Sequence, residues 1–176
     1  INHWDAREQN SLNVWVNEGG RSFIRHYYID FGDTMGSRWE WDGISKRLGN
    51  SYYLSLQHVL VDLLTLGIYD RPWYNLKINS EAEIFGYFGK DHFVPSRWLS
   101  AYPNEAFDRM TFRDALWMVR IISRFSDDHV RAFVKQGQLS NPRDEAYLVR
   151  TLLALRVALL RHFLTYFAPL ALFLLL

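Results

Sequence analysis

The chain has 176 residues, of which 49% are hydrophobic, and it carries 20 Lys and Arg against 19 Asp and Glu. This length and apolar content suit one folded domain with a core, and an aromatic content of 16% excludes low-complexity disorder. No basic stripe with interleaved aromatics is present, which argues against nucleic-acid binding. The chain contains no cysteine, which excludes disulfides, thiolate metal sites and a cysteine nucleophile. This composition favours a reducing cytoplasm without excluding export.

A β-hairpin is predicted near the start of the chain. Two β-rich runs, at 12–16 and 22–31, flank the sequence Asn-Glu-Gly-Gly-Arg. A Gly-Gly pair between alternating runs is a typical hairpin signal. The segment after the second run is irregular and rich in tryptophan. Five aromatic residues are interpreted as core residues rather than as a substrate platform: Trp39, Trp41, Trp73, Tyr74 and Trp98.

Four helices are predicted after the hairpin. Leucines and valines recur at helical spacing over 52–66, and Gly67 ends this run. A long loop with three prolines follows at 71–107. Thr111, Ser126 and Asn141 are then predicted to cap the remaining three helices, the last of which begins with a proline. The predicted fold class is α+β, mainly α, in a single domain over 1–176, with 1–37 holding the hairpin and its loops and 38–176 the helical part.

Two loops at the ends of the predicted hairpin carry the polar residues that suggest chemistry. The first acidic loop, residues 3–10, contains His3, Asp5, Arg7 and Asn10. The second acidic loop, residues 30–33, begins Asp30-Phe31-Gly32. This order resembles the catalytic half of the protein-kinase-like superfamily, whose catalytic loop reads His-Arg-Asp-x-x-x-x-Asn and whose metal loop reads Asp-Phe-Gly. The run "YIDFG" is similar to phosphatidylinositol kinases, and "IRHYYIDFGDTMGS" and "NPRDEAYL" resemble a bacterial branch of kinase-like proteins.

The resemblance implies an ATP- and Mg²⁺-dependent phosphotransferase acting on an unknown hydroxyl acceptor. Phosphoryl transfer depends mainly on placement and electrostatics. Asp5 would orient or deprotonate the acceptor hydroxyl, and Arg7 would lie near the transferred phosphate with a planar fork in place of a lysine point charge. Asn10 and Asp30 would ligate Mg²⁺, which shares its shell with phosphate and water oxygens. The resemblance also assigns Phe31 and Gly32 to the nucleotide-binding loop.

The chain departs from the kinase pattern at several points. Trp4 stands where protein kinases carry Arg, which argues against control through a phosphorylated activation loop, and no Ala-Pro-Glu follows. No Gly-rich loop, strand lysine or partnering helix glutamate is present. Because these belong to an N-terminal lobe, the resemblance predicts that the chain is a C-terminal lobe fragment whose N-lobe is missing.

Several readings stay open. The chain is either an active phosphotransferase, a kinase-like binding or scaffold module without turnover, or a membrane-associated helical protein. The last rests on the uncharged tail 163–176, which is shorter than the about 20 residues that span a bilayer, so a final amphipathic helix is favoured over membrane contact.

The resemblance implies that His3 supports its loop through a backbone hydrogen bond. Asp33 is read as a turn residue rather than an acid behind the metal, and Asp62 as either a buried anchor of the first acidic loop or a polar-face residue.

Overall fold

The computed structural model describes residues 1–36, 41–91 and 93–165. A two-stranded antiparallel hairpin comes first and helices follow, so the predicted α+β, mainly α class is confirmed. The strands are β1 (Ser11–Glu18) and β2 (Arg21–Tyr28). The helices are α1 (Asp42–Arg47), α2 (Leu56–Leu64), α3 (Glu105–Asp108), α4 (Phe112–Ile122), α5 (Asp127–Gln136) and α6 (Pro142–Leu164).

The hairpin forms at the predicted Gly-Gly turn. Gly19 and Gly20 have φ of 57° and 74°, which is the left-handed conformation that a two-residue hairpin turn requires and that glycine adopts without steric cost. The register runs from Ser11 opposite Tyr28 to Glu18 opposite Arg21. β2 ends at Tyr28 rather than at the predicted position 31 because Asp30 is left-handed and begins a short 3₁₀ turn, Phe31–Asp33.

The chain divides into two compact units. One contains Ile1–Lys77 and Leu99–Asp108, and the other contains Ile78–Trp98 and Arg109–Leu176. The hairpin and α1–α3 belong to the first unit, and α4–α6 belong to the second. The single domain predicted from the sequence, with parts 1–37 and 38–176, stays a prediction.

The second unit is built on capped helices, as predicted. The Thr111 hydroxyl accepts from the Asp114 N–H at 3.3 Å while the Asp114 carboxylate accepts from the Thr111 N–H at 2.9 Å, a reciprocal capping box. Ser126 and Asn141 likewise cap α5 and α6. Val119 of α4 packs with Leu160 and Leu164 of α6 in a buried cluster that Leu116 and Phe163 flank.

In the first unit, α2 presents its apolar side to solvent. Leu56, Leu60, Leu63 and Leu64 are 75%, 57%, 69% and 82% exposed. Its polar side makes the contacts: the Asp62 carboxylate pairs with Arg71 at 2.6 Å, and the guanidinium side chain is 4% exposed while Asp62 is 44% exposed. Asp62 is therefore a partly exposed anchor for a buried arginine, and its ion pair lies outside the first acidic loop.

Some sequence expectations differ from the structure. The helices α1 and α3 were not predicted, because the stretches that contain them were expected to be irregular. Trp41 and Tyr74, predicted to be core aromatics, are 73% and 46% exposed, Trp73 and Trp98 are half-buried, and Trp39 lies outside the described residues. Within the described ranges no helix has the length and apolar character needed to cross a bilayer. Most of the apolar tail, 166–176, lies outside those ranges.

Candidate active site

Asp5 and Asn10 meet inside the first acidic loop. The chain turns tightly here, with the Arg7 N–H donating to the Asp5 carbonyl at 2.8 Å and the Asn10 N–H donating to the Arg7 carbonyl at 3.0 Å. The Asn10 amide Nδ2 then donates to the Asp5 carbonyl at 2.9 Å and to Asp5 Oδ2 at 2.8 Å. Both side chains are buried. Because Nδ2 faces Asp5, the amide oxygen of Asn10 points its lone pairs elsewhere and is the atom of this side chain that can ligate a cation.

Arg7 lies beside the same carboxylate. Its Nε is 3.2 Å from Asp5 Oδ1, but the angle is not that of a hydrogen bond, and both atoms are buried without a hydrogen-bond partner in the described chain. The guanidinium lies over the Tyr102 ring at 5.1 Å, a cation–π contact. Asp5 Oδ1 is therefore a charged acceptor with no donor, next to a cation held by an aromatic ring.

A segment that contains Ala101 and Asn104, 98 positions after Ala6 in the case of Asn104, holds the first acidic loop in place. The Ala101 N–H donates to the Trp4 carbonyl at 2.7 Å. The buried Asn104 side chain donates through Nδ2 to the Ala6 carbonyl at 2.8 Å, and its Oδ1 accepts from the Ala106 N–H at 3.0 Å at the start of α3. Neither Asn104 nor its contact with Ala6 was predicted from the sequence. Asn is a preferred helix N-cap residue, so Asn104 before Glu105 could have indicated a helix start within the segment that was predicted to be a loop.

The second acidic loop presents Asp30 in an unusual backbone conformation. Asp30 has φ 58° and ψ 61°, in the left-handed region that non-glycine residues seldom adopt and that asparagine and aspartate tolerate best. Its side chain is exposed, and no ion pair joins it to a described residue. A Cβ at Gly32 would lie 3.6 Å from Asp30 Oδ1, which is ordinary contact, so the carboxylate lies close over Gly32.

The two acidic loops come together at the base of the hairpin. The Ile29 N–H donates to the Asn10 carbonyl at 3.0 Å, one residue before Asp30. The rings of His3 and Phe31 lie 5.1 Å apart, and Phe31 is 49% exposed. The predicted residues of the two loops are thus neighbours in space, although no hydrogen bond or ion pair joins the Asp30 side chain to Asp5 or Asn10.

The expected role of His3 is wrong. Its two ring nitrogens are buried and neither has a hydrogen-bond partner among the described residues. His3 therefore contributes ring packing against Phe31 rather than a hydrogen bond to its own loop. Asp33 was predicted to be a turn residue, and it lies in the short turn that follows Asp30.

The oxygen donors of the two loops suit magnesium. In the part of the chain that the structure describes, no three or more His, Cys, Asp or Glu side chains cluster as a metal site. A nucleotide-bound Mg²⁺ needs fewer protein ligands, because phosphates and water complete its octahedral shell. The amide oxygen of Asn10 and the exposed carboxylate of Asp30 fit this requirement in donor chemistry.

A scan of family profiles, a search of curated proteins and a search of solved structures each found no match for this chain.

Proposed function

We propose that the chain carries the catalytic and metal-binding loops of a kinase-like phosphotransferase that uses ATP and Mg²⁺ to phosphorylate a hydroxyl acceptor. The supporting observation is the meeting of the two acidic loops. The hydrogen bond from Ile29 to Asn10 and the His3–Phe31 contact put Asp30 at the same end of the hairpin as Asp5 and Asn10. A placed carboxylate, an amide oxygen and a second carboxylate are the groups that phosphoryl transfer requires.

Each residue has a distinct role in this proposal. Asp5 orients the acceptor hydroxyl and takes its proton at Oδ1, the carboxylate oxygen that has no hydrogen-bond donor. Asn10 and Asp30 hold Mg²⁺, which when bound neutralises charge on the phosphates. Arg7, already beside Asp5, supplies positive charge near the transferred phosphate.

Phe31 and Gly32 shape the turn that presents Asp30. The Phe31 carbonyl accepts from the Thr34 hydroxyl at 2.9 Å, which closes the turn. The Asp30 carboxylate lies over Gly32, with Oδ1 3.6 Å from the place where a Cβ would be. Their assignment to nucleotide binding rests on the position of this turn.

A second candidate is a kinase-like binding module without turnover. The burial of Asp5 favours it, because the side chain is only 4% exposed and a general base must reach the proton that it removes. The two candidates share the nucleotide site and differ in whether the γ-phosphate is transferred.

The experiment is thermal unfolding of the full natural protein with and without ATP and Mg²⁺. A ligand that binds only the folded state adds about 2.7 kcal/mol at one hundred times its dissociation constant. We expect a Mg²⁺-dependent stabilisation that Asp30→Asn abolishes, since asparagine keeps the left-handed turn and removes the charge. Glu8→Gln, an exposed change of the same charge in the first acidic loop, should retain the stabilisation.

Two results would contradict the proposal: no Mg²⁺-dependent shift in the folded wild type, or equal shifts in the wild type and Asp30→Asn. Release or transfer of the γ-phosphate then separates the two candidates. An active enzyme loses transfer in Asp5→Asn while keeping the nucleotide-dependent shift. A binding module shows the shift and no transfer in either protein.

A further inference from the structure

A groove between α5 and α6 is unrelated to the two acidic loops. It is open to solvent and has a volume of about 500 Å³. Val149 and Leu153 form its apolar floor, and Ala132 of α5 and Ala146 of α6 line its walls. Both alanines are exposed. Small side chains on both walls allow the backbone of a bound segment to approach closely.

The charges around this groove are uneven. Arg131 and Lys135 lie one turn apart on the α5 wall, both are exposed, and neither forms an ion pair with a described residue. On the α6 wall, Arg150 is already paired with Glu81, and Glu145 adds one negative charge. The α5 wall therefore carries a net positive charge that the described chain leaves uncompensated.

We propose that this groove docks a short, acidic amphipathic helix of a partner protein. The α6 wall from Pro142 to Leu153 is about 17 Å long at 1.5 Å per residue, which matches about three turns of a bound helix. Amphipathic helices bind in this way by placing an apolar face on a groove floor between two helices. The free cations on α5 select carboxylates on the partner.

The uneven walls also fix how the partner helix is turned about its axis. Its acidic edge faces Arg131 and Lys135, and its neutral or basic edge faces Glu145. Leucines between the two edges contact Val149 and Leu153. A helix with acidic residues on both edges would bring one row against Glu145 and bind less well.

The test is fluorescence anisotropy of the full chain with a labelled, stapled peptide of about three helical turns, which carries leucines on one face and glutamates on one edge. We expect saturable binding that is about tenfold weaker for the same peptide with glutamine in place of glutamate, and about tenfold weaker in Arg131→Gln/Lys135→Gln. Arg120→Gln/Arg143→Gln makes the same charge change at exposed positions outside the groove lining and should bind like the wild type.

Ala146→Trp fills the groove without changing charge and should abolish binding, with circular dichroism showing that α5 and α6 are intact. Equal binding of the acidic and neutral peptides, wild-type binding by Ala146→Trp, or no saturation up to about 1 mM would each overturn the proposal. The outcome is independent of nucleotide binding, so it does not depend on the phosphotransferase proposal.

Discussion

The Asn10 side-chain amide donates to the Asp5 backbone and to the Asp5 carboxylate at once, at 2.9 and 2.8 Å. One nitrogen therefore closes the first acidic loop and compensates its buried charge. The same geometry leaves the amide oxygen of Asn10 as the group available to a cation. Asn10 therefore contributes both to loop stability and to the proposed metal site.

Replacing Asn10 tests its role in loop stability. Asn10→Ala removes two buried hydrogen bonds, one of them to a carboxylate, and we expect it to lower the free energy of unfolding by about 2–3 kcal/mol. Asn10→Asp should lower it further, because it puts a second carboxylate where Asp5 now accepts a hydrogen bond. Urea unfolding measures both.

Asn13→Ala is the matched control for Asn10→Ala. Asn13 lies on the exposed hairpin, where its Oδ1 is 2.6 Å from the His26 ring nitrogen. Loss of this exposed contact should change the free energy of unfolding by less than about 0.5 kcal/mol. Equal effects of Asn10→Ala and Asn13→Ala would show that the Asp5–Asn10 contact does not hold the loop.

Asn104 is the second support of the loop. Its side chain is 3% exposed, bonds the Ala6 carbonyl and also caps α3. Asn104→Ala leaves a buried carbonyl without a donor, so we expect a loss of about 2 kcal/mol in urea unfolding. Asn75→Ala, which removes an exposed bond to Asp70, is the control and should cost less than about 0.5 kcal/mol. A cost for Asn104→Ala no larger than that of the control would refute its role as a support.

Local signals made the hairpin and the capped helices predictable. The side chains of Thr111, Ser126 and Asn141 accept hydrogen bonds from backbone N–H groups two or three residues later. Gly19 and Gly20 adopt the left-handed conformation that the hairpin turn needs. Both effects are local, so adjacent sequence predicts them. The two acidic loops lie at the two ends of the predicted hairpin, and the pairing of its strands brings those ends together.

Features that depend on distant residues were not predictable. Asn104 binds Ala6 across 98 positions, and no local pattern indicates that pairing. The helix α1 has six residues and includes Gly43, too short for apolar periodicity to appear. The leucine spacing of α2 predicted a helix correctly. Such spacing indicates which side of a helix is apolar, but it does not indicate whether that side is buried.

The exposed leucines of α2 should contribute little to folding. Leu64 is 82% exposed, so Leu64→Gln, which keeps helix propensity, should change the free energy of unfolding by less than about 0.5 kcal/mol. Leu160 is 7% exposed in the cluster with Val119. Leu160→Ala should therefore lower the free energy of unfolding by about 2–5 kcal/mol. Urea unfolding compares the two. A large cost for Leu64→Gln would mean that the apolar side of α2 is covered in solution.

His58 should make stability depend on pH. Burial lowers the pKa of the His58 imidazole below its usual 6.5, and the charges of Arg71 and Arg47 lower it further, against a weaker opposing effect of Asp62. Below about pH 6.5 the unfolded chain binds a proton that the folded chain resists, so stability is present above that pH and falls as pH drops through the lowered pKa.

Urea unfolding between about pH 7.5 and pH 5 measures this contribution. His58→Gln should flatten the fall in stability below about pH 6.5, because glutamine does not titrate there. Ser51→Ala removes the hydroxyl that lies 3.0 Å from His58 Nδ1 and 3.4 Å from the Arg47 guanidinium. Because the burial of His58 and the charges of Arg71 and Arg47 remain, its slope should match the wild type. Parallel pH curves for the wild type and His58→Gln would place the pH dependence elsewhere in the chain.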